Sequence, residues 1–460
     1  MLELLQAEPT VGVGLLSDAA RVSFVLAGDC VTNTGRHLSS GEYEASVDAD
    51  GGIAITDAQG RVERFAHVDG VELQLRNATT FTLRSVTIGI DFHWQQQEDQ
   101  TFTGDLLLRA DAQRRLLVIN RVPVEAYVTS VIASEMSATA HPELLKAHAI
   151  ISRSWLLAQL VPWQSAQDKP GQSRTAEEIV RWYDRENHAD FDICADDHCQ
   201  RYQGVTKVTT ARVYEAINAT RGVVLAYQGE LCDARFSKSC GGFTELFSTA
   251  WADAEVPYLQ AFYDGGVLPA DCRLPLNDEA NAAAWIRQAP PAFCNANDAT
   301  ILNRILPDFD QATTDFFRWQ VTLEQAELQS LLERKLGLSF GAILALESVE
   351  RGASGRLKRL RIVGEQRTLV IGKELEIRRA LSPSHLYSSA FVIESEAVQN
   401  GVPARFTLRG AGWGHGVGLC QIGAALMAEQ GYDAAQILQH YYRGTQLFEL
   451  YRGARREDDE

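Results

Sequence analysis

The sequence predicts an α+β protein in three parts: a small β domain over residues 1–105, a larger domain of mixed helices and β-hairpins over 106–450, and an acidic tail over 451–460. Three observations carry this expectation. Residues 1 to about 105 alternate apolar and polar positions in short runs between turn signals, the pattern of half-buried strands. From Pro123 onward the apolar positions move to helical spacing, and helix-like and strand-like runs are then interspersed. With 45% apolar residues, 22% charged residues, 35 Gly and 13 Pro in 460 residues, the composition is that of a chain folded throughout.

Taken in order, Val22 to Leu26, Gly51 to Ile55 and Phe81 to Ile88 read as strands. Pro123 to Met136 and Pro142 to Leu160 read as helices, each opened by a proline that fits the first turn, joined by Ser137 to His141. Pro162 to Arg174 is polar and reads as a surface loop, and Thr175 to Arg185 is expected to be a helix leading to a His/Cys cluster. Val208 to Thr220 reads as a helix, followed by strands Val223 to Tyr227 and Leu231 to Ser237 around Gln228-Gly229. Residues 262 to 300 are loop-rich. From Phe316 come a strand, a helix over Ala326 to Leu336, hairpins around the turn Gly352 to Gly355, and helices over Cys420 to Gln430 and Ala434 to Tyr442.

Charge and length exclude several functions. Forty-three basic against sixty acidic residues give a net charge of −17, which opposes binding to nucleic acid or to an anionic membrane surface. No run approaches the ~20 apolar residues of a spanning helix; even Ala147 to Trp163 is interrupted by Ser152, Arg153 and Gln159. Met1 to Thr10 carries Glu3 and Glu8 and no basic segment of an export signal. Eight cysteines are too few for a disulfide scaffold and leave the compartment open.

Several groups could carry chemistry. In Gly412-Trp-Gly-His-Gly-Val-Gly418-Leu-Cys-Gln421 the glycines fall at every second position, which fits neither a dinucleotide fingerprint nor a P-loop. Such spacing allows the backbone to approach a ligand closely, with His415 and Gln421 at a helix start, or makes an ordinary tight turn. His188, Cys194, His198 and Cys199 offer four donors within twelve residues, the set a tetrahedral zinc takes, although the spacing is not that of a standard finger and unrelated loop residues would also produce it. Four protein donors close such a site, so the metal would be structural, pinning the loop that delivers Gln200 and Tyr202. Lys146 and Arg153, seven apart, share a helix face, either as a solvated basic edge or as partners of an acid. Glu125 and Glu135 are ten apart, about 15 Å along a helix, too far to flank one bond as a pair. Glu125, near the first turn, suits a structural role.

Four blocks in order resemble the SpoIID/LytB family of peptidoglycan-active proteins: Val122-Pro-Val-Glu-Ala-Tyr127 with Ala133-Ser-Glu-Met136; Leu145-Lys-Ala-His-Ala149 with Ser152-Arg153; Phe236-Ser-Lys-Ser-Cys-Gly-Gly-Phe-Thr244; and Gly412 to Ala424. The resemblance covers roughly residues 106 to 445 and implies a lytic transglycosylase fold with Glu135 as the acid/base. It implies cleavage of MurNAc–GlcNAc bonds in peptide-stripped glycan strands, leaving 1,6-anhydro ends. Lys146 and Arg153 would hold Glu135 or the sugar's lactyl group, and Gln200, Tyr202, Ser237, Ser239, Gly241, Gly242, Thr244, Gly414, His415, Gly416 and Gln421 would bind substrate. His148 stands where the family has Gln, which leaves that position's role open. Some relatives carry zinc near the His188 cluster. Part of the family enhances amidases, so a non-catalytic glycan-binding activator of a cell-wall amidase is the alternative. Because peptidoglycan lies outside the cytoplasmic membrane, export to the periplasm or cell envelope is expected. Relatives commonly have serine at Cys240 and Cys420, in two blocks that border one groove, which suggests a Cys240–Cys420 disulfide, with two small buried thiols as the other reading.

Overall fold

The computed structural model describes residues 2–65, 70–76, 79–89, 95–160, 171–182, 188–196, 198–296, 298–311 and 313–452. The chain divides into two compact units: Met1–Leu160 with Asn187–Val224 and Leu447–Glu460, and Val161–Glu186 with Leu225–Gln446. Among the described residues no helix is long and apolar enough to cross a membrane. Most of the expected loop at Pro162 to Arg174 and all but two residues of the acidic tail lie outside the described residues.

The first unit is built on two antiparallel-rich sheets. In one, Arg21–Leu26 lies between Phe81–Ile88 and Gly41–Val47, and alternation buries Val22, Phe24 and Leu26 on one face. In the other, Thr10–Ala19 pairs with Leu116–Pro123, which pairs with Asp105–Ala110, which pairs with Val71–Leu75. The expected boundary near residue 105 therefore falls inside a seven-stranded sheet. Strand pairing joins segments a hundred residues apart, and nothing in the local pattern reports it.

Helix α1 (Val124–Glu135) follows the last of these strands, and helix α2 (Pro142–Leu160) follows α1, both close to expectation. Eleven of the twelve residues of α1 are buried, so it is a core helix rather than a surface one. Two of its hydroxyls are satisfied along the helix: Thr129 Oγ1 donates to the Glu125 carbonyl at 2.7 Å and Ser134 Oγ to the Ser130 carbonyl at 2.8 Å. Its one buried charge at the start, Glu125, meets Arg153 from α2. The guanidinium donates through Nε to Glu125 Oε1 at 3.0 Å and through Nη2 to Oε2 at 2.6 Å, with Arg153 fully buried. The Gly222 N–H (2.9 Å) and the Tyr451 hydroxyl (2.7 Å) also donate to Glu125 Oε1, and Arg153 Nη1 donates to the Val223 carbonyl at 2.7 Å. Glu125 is structural, as expected. Arg153 is not the partner of Glu135 or of a sugar, because all three of its nitrogens are spent inside the unit.

The second unit holds the sheet Arg318–Glu324, Arg405–Ala411 and Phe391–Glu396, and a five-stranded sheet ending on Ile343–Arg351. The helix Gln325–Leu336 covers them, burying Leu328, Leu332 and Leu336 with Trp319, Phe340 and Phe406, and stops at Gly337, whose φ of 68° suits glycine. Among the described residues of the expected helix Thr175 to Arg185, Glu178–Arg181 is instead a strand paired in parallel with Val370 to Gly372. Tertiary pairing overrides local propensity there. The expected strand Leu231 to Ser237 is broken into Glu230–Leu231 and Phe236–Ser237.

Replacing Arg153 by Met is expected to destabilise the first unit by about 3–5 kcal/mol, because it leaves Glu125 buried without its counter-charge. Urea midpoints should show the double change Glu125→Gln with Arg153→Met costing less than Arg153→Met alone.

Candidate active site and metal centre

Glu135 is the last residue of α1, with 8% of its surface exposed. Carboxylates favour the N-terminal end of a helix, where the dipole is positive, so this position opposes the helix's own field. The carboxylate is held by the backbone: the Arg201 N–H donates to Glu135 Oε1 at 3.0 Å. The residues on either side of Arg201 fix that segment. Gln200 Oε1 accepts from the Tyr127 hydroxyl at 3.1 Å, and the Tyr202 ring stacks 5.1 Å from Tyr127 and 5.7 Å from Phe102. The Tyr202 hydroxyl donates to Asn120 Oδ1 at 2.5 Å. At 1% and 2% exposure, Gln200 and Tyr202 position the Glu135 clamp rather than offer a surface to a glycan, which corrects their expected role.

The clamp continues from a donor cluster. His188 Nε2 lies 3.4 Å from Cys199 Sγ, and His198 Nδ1 lies 3.5 Å from Cys199 Sγ and 3.8 Å from Cys194 Sγ. A tetrahedral ion with N and S ligands at about 2.0–2.3 Å has donor–donor edges of about 3.3–3.8 Å, so these residues fit one. The Cys199 hydrogen bond pulls the Cys194 thiol down to about 4 against the opposing effect of burial, and thiolate is the ligating form. The cluster is seated on the first strand. Cys194 pairs with Gly14, a Cβ on Gly14 would lie 2.6 Å from the Phe191 ring, and that ring packs 4.6 Å from His188. Because Cys199 directly precedes Gln200 and Arg201, an ion here would fix the segment that holds Glu135.

The glycine segment of the second unit encloses an arginine of this chain. Gly412, Gly414, Gly416 and Gly418 all have φ between 72° and 93°, which explains glycine at every second position. A Cβ on Gly416 would lie 2.5 Å from the Arg356 guanidinium carbon, and one on Gly412 2.8 Å from its Nη2. Arg356 is fully buried and donates to the carbonyls of Gly414 (3.2 Å) and Cys240 (3.2 Å) and to Ser354 Oγ (2.9 Å). The close approach expected toward a ligand is thus made to a side chain from the hairpin turn. Glu245 secures that turn, accepting from the Ala353 and Ser354 N–H groups at 3.0 Å each and from Ser354 Oγ at 2.7 Å.

Most of the expected lining is likewise engaged within its own unit. Ser237 Oγ accepts the Gly416 N–H at 3.2 Å, Ser239 pairs with Trp413 through both backbone groups, and Thr244 Oγ1 donates to the Gln260 carbonyl at 2.9 Å. Gly241 packs against the Gly412 backbone, Gly242 against Trp285, and Gln421 is 1% exposed. Lys146, Gly414 and His415 are the partly exposed members, and Lys146 is paired with Glu143 at 2.7 Å. His148 is buried, with Nδ1 3.1 Å from Ser152 Oγ.

Cys240 and Cys420 are neighbours in space, but they are free thiols. The Cys240 N–H donates to Cys420 Sγ at 3.2 Å, while Cys240 Sγ lies 3.6 Å from a third thiol, Cys294, and 3.1 Å from Asp264 Oδ2. The expected pair is therefore part of a group of four. Cys294 and Asp264 come from the loop-rich stretch, where no periodicity or spacing marks them. Glu245 and Arg356 were equally unmarked, since their roles are set by partners about a hundred residues away.

His415 Nδ1 accepts the Val417 N–H at 3.0 Å, and the ring packs edge-on 4.6 Å from Trp251. Burial, then the charges of Arg235, Arg356 and Arg378, hold its pKa well below the ordinary histidine value, so it is neutral at pH 7. A histidine whose folded pKa is depressed binds more protons unfolded, so its contribution to stability is lost as pH falls below about 6.5. Between pH 7.5 and 5, His415→Gln is expected to lose stability less steeply than the parent chain, read from urea midpoints at the two pH values.

Comparison with known sequences bears on both units. The family model described as Stage II sporulation protein matches residues 112–227, which include Glu135 and the donors His188 to Cys199. A domain of unknown function (DUF8618) matches residues 245–418, which include Glu245, Asp264, Cys294 and Arg356. The chain is 25% identical over 333 residues to Stage II sporulation protein D of Bacillus subtilis (strain 168), covering 72% of this chain and 76% of that protein. Its namesake in Bacillus amyloliquefaciens is 23% identical over 331 residues, with the same two shares. The Amidase enhancer of Bacillus subtilis (strain 168) is 24% identical over 242 residues, covering 51% of this chain and 32% of that protein, so the chain spans about a third of it. From the Glu135 segment to the Gly412–Gly418 repeat, the chain is thus similar to the SpoIID and amidase-enhancer proteins of the SpoIID/LytB family.

Proposed function

We propose that this protein acts on the bacterial cell wall, and that it does so as a lytic transglycosylase cleaving MurNAc–GlcNAc bonds of peptide-stripped glycan strands, with Glu135 as the single acid/base. The observation that carries the reading is a carboxyl fixed at the wrong end of a helix for stability, nearly enclosed but still 8% exposed, and aimed by a backbone N–H. One such group suffices for this reaction. Protonated, Glu135 gives its proton to the glycosidic oxygen as the C1–O bond breaks. As carboxylate, it then takes the proton of the MurNAc C6 hydroxyl while that oxygen bonds to C1, closing the 1,6-anhydro ring and restoring the acid. No water is consumed, and no second carboxylate is needed to activate one.

The ion held by His188, Cys194, His198 and Cys199 is proposed to be zinc in a structural role. Four protein ligands leave no position for a water nucleophile. The same closure argues against a third reading, a hydrolase that uses this zinc to activate water. A substrate outside the cytoplasmic membrane places the protein in the periplasm or cell envelope, which fractionation of the native product tests.

The similarity to an amidase enhancer supports a second reading, a glycan-binding activator of a cell-wall amidase that performs no cleavage itself. The two part at Glu135. For the enzyme, Glu135→Gln is expected to lower release of 1,6-anhydro ends by about 10²–10⁴-fold while the chain stays folded. Undiminished digestion by Glu135→Gln, or products with only reducing ends, would remove the transglycosylase. Stimulation of an added amidase that survives Glu135→Gln, with no turnover by the parent chain, would establish the activator. Chelation is expected to lower the melting temperature while leaving turnover per folded molecule unchanged; loss of turnover without loss of fold would make the ion catalytic.

A further inference from the structure

We propose that Cys240, Asp264, Cys294 and Cys420 form a second metal site, closed and buried in the second unit, that takes one tetrahedral zinc-type divalent ion through three thiolate sulfurs and one carboxylate oxygen. The four side chains come from three separate stretches of chain, yet their donor atoms all lie within 4.8 Å of one another. Two of the edges, Cys240 Sγ to Cys294 Sγ at 3.6 Å and Cys240 Sγ to Asp264 Oδ2 at 3.1 Å, are near the ~3.3–3.8 Å separations of ligands around one such ion. An iron–sulfur cluster would hold its cysteine sulfurs farther apart than this.

The surroundings are those of a built site. All four residues are at most 3% exposed, and Asp264 is completely enclosed. His440 Nε2 lies 3.0 Å from Asp264 Oδ1, an outer-shell partner that orients the carboxylate and leaves Oδ2 turned toward the thiols. Backbone N–H groups point at the sulfurs: that of Cys240 at Cys420, and that of Gly242 at Cys294. The Tyr441 hydroxyl is wholly buried and has no hydrogen-bond partner among the described residues. It closes on the same point, since a Cβ on Gly423 would meet the Tyr441 hydroxyl at 2.4 Å, Asp264 Oδ2 at 2.7 Å and Cys420 Sγ at 3.3 Å.

Positive charge lies close by. Three thiolates and a carboxylate around a divalent ion leave two negative charges, and two guanidinium groups flank the Cys240 segment: Arg318 on the Gly241 carbonyl at 3.0 Å, and Arg356, whose charge Glu245 partly offsets through Ser354, on the Cys240 carbonyl at 3.2 Å. A disulfide explains less. Oxidation of three thiols pairs two, leaves one over, and gives no role to Asp264 or to the Tyr441 hydroxyl.

Metal analysis of the intact chain, purified with zinc alone and without chelator, tests this. Two zinc ions per chain are expected. His198→Ala should remove one and leave the other, and Cys294→Ser should remove the other. Cobalt loaded into the His198→Ala chain should show sulfur-to-metal charge-transfer absorption with tetrahedral visible bands, which disposes of the case in which Cys294→Ser does not fold. A folded His198→Ala chain with no zinc and no cobalt bands overturns the proposal. So does a non-reduced peptide map with a disulfide among Cys240, Cys294 and Cys420, or an unchanged zinc content in folded Cys294→Ser.

Discussion

The first unit is organised around the ion pair of Glu125 and Arg153. Two consecutive helices with almost no solvated face must bury whatever charge they carry, and an isolated buried charge costs several kcal/mol. The solution is dense pairing: Glu125 accepts from one edge of the guanidinium through both oxygens, and at Oε1 also from Gly222 and from Tyr451. This bidentate contact ties the start of α1 to α2. Glu135 terminates the same helix, so the proposed acid and the buried pair ten residues upstream share one rigid element.

The second unit solves a related problem with the opposite geometry. Arg356 has no carboxylate among the hydrogen-bond partners described; it is enclosed by backbone carbonyls and the Ser354 hydroxyl, and the chain can approach so closely only where it lacks side chains. Glu245, one step away, neutralises the site through the turn N–H groups and Ser354. The glycine repeat is thus the imprint of a cation, although from the sequence alone it reads as an open cradle for a ligand.

What was legible follows from the range of the physics. Helices α1 and α2, and strands such as Arg21–Leu26, were visible because their periodicity is local. The cluster from His188 to Cys199 was visible because its donors are close in sequence. Arg153 shows the limit. Its helix face could be read, but its partner could not, since a buried arginine and a solvated one leave the same spacing. Cys294 and Asp264 left no pattern at all, and the strand Glu178–Arg181 was hidden because its stability comes from pairing with residues nearly two hundred positions later. Gln200 and Tyr202 were tied to the His188–Cys199 loop but read as facing outward, whereas stacking on Tyr127 and Phe102 turns Tyr202 in and the Tyr127 hydroxyl holds Gln200.

Tyr451 gives the architecture a timetable. Its hydroxyl completes the shell of Glu125, 326 residues earlier, and the N–H of the adjoining Leu450 bonds to the Gly222 carbonyl. During synthesis the two core helices are made early, yet their buried carboxylate lacks one donor until the ribosome has also produced the whole second unit. Segments of a chain ordinarily fold as they emerge, domain by domain. Here the first unit must wait for its own last strand of contacts, so it passes through most of its translation as a nearly finished core with an unsatisfied charge.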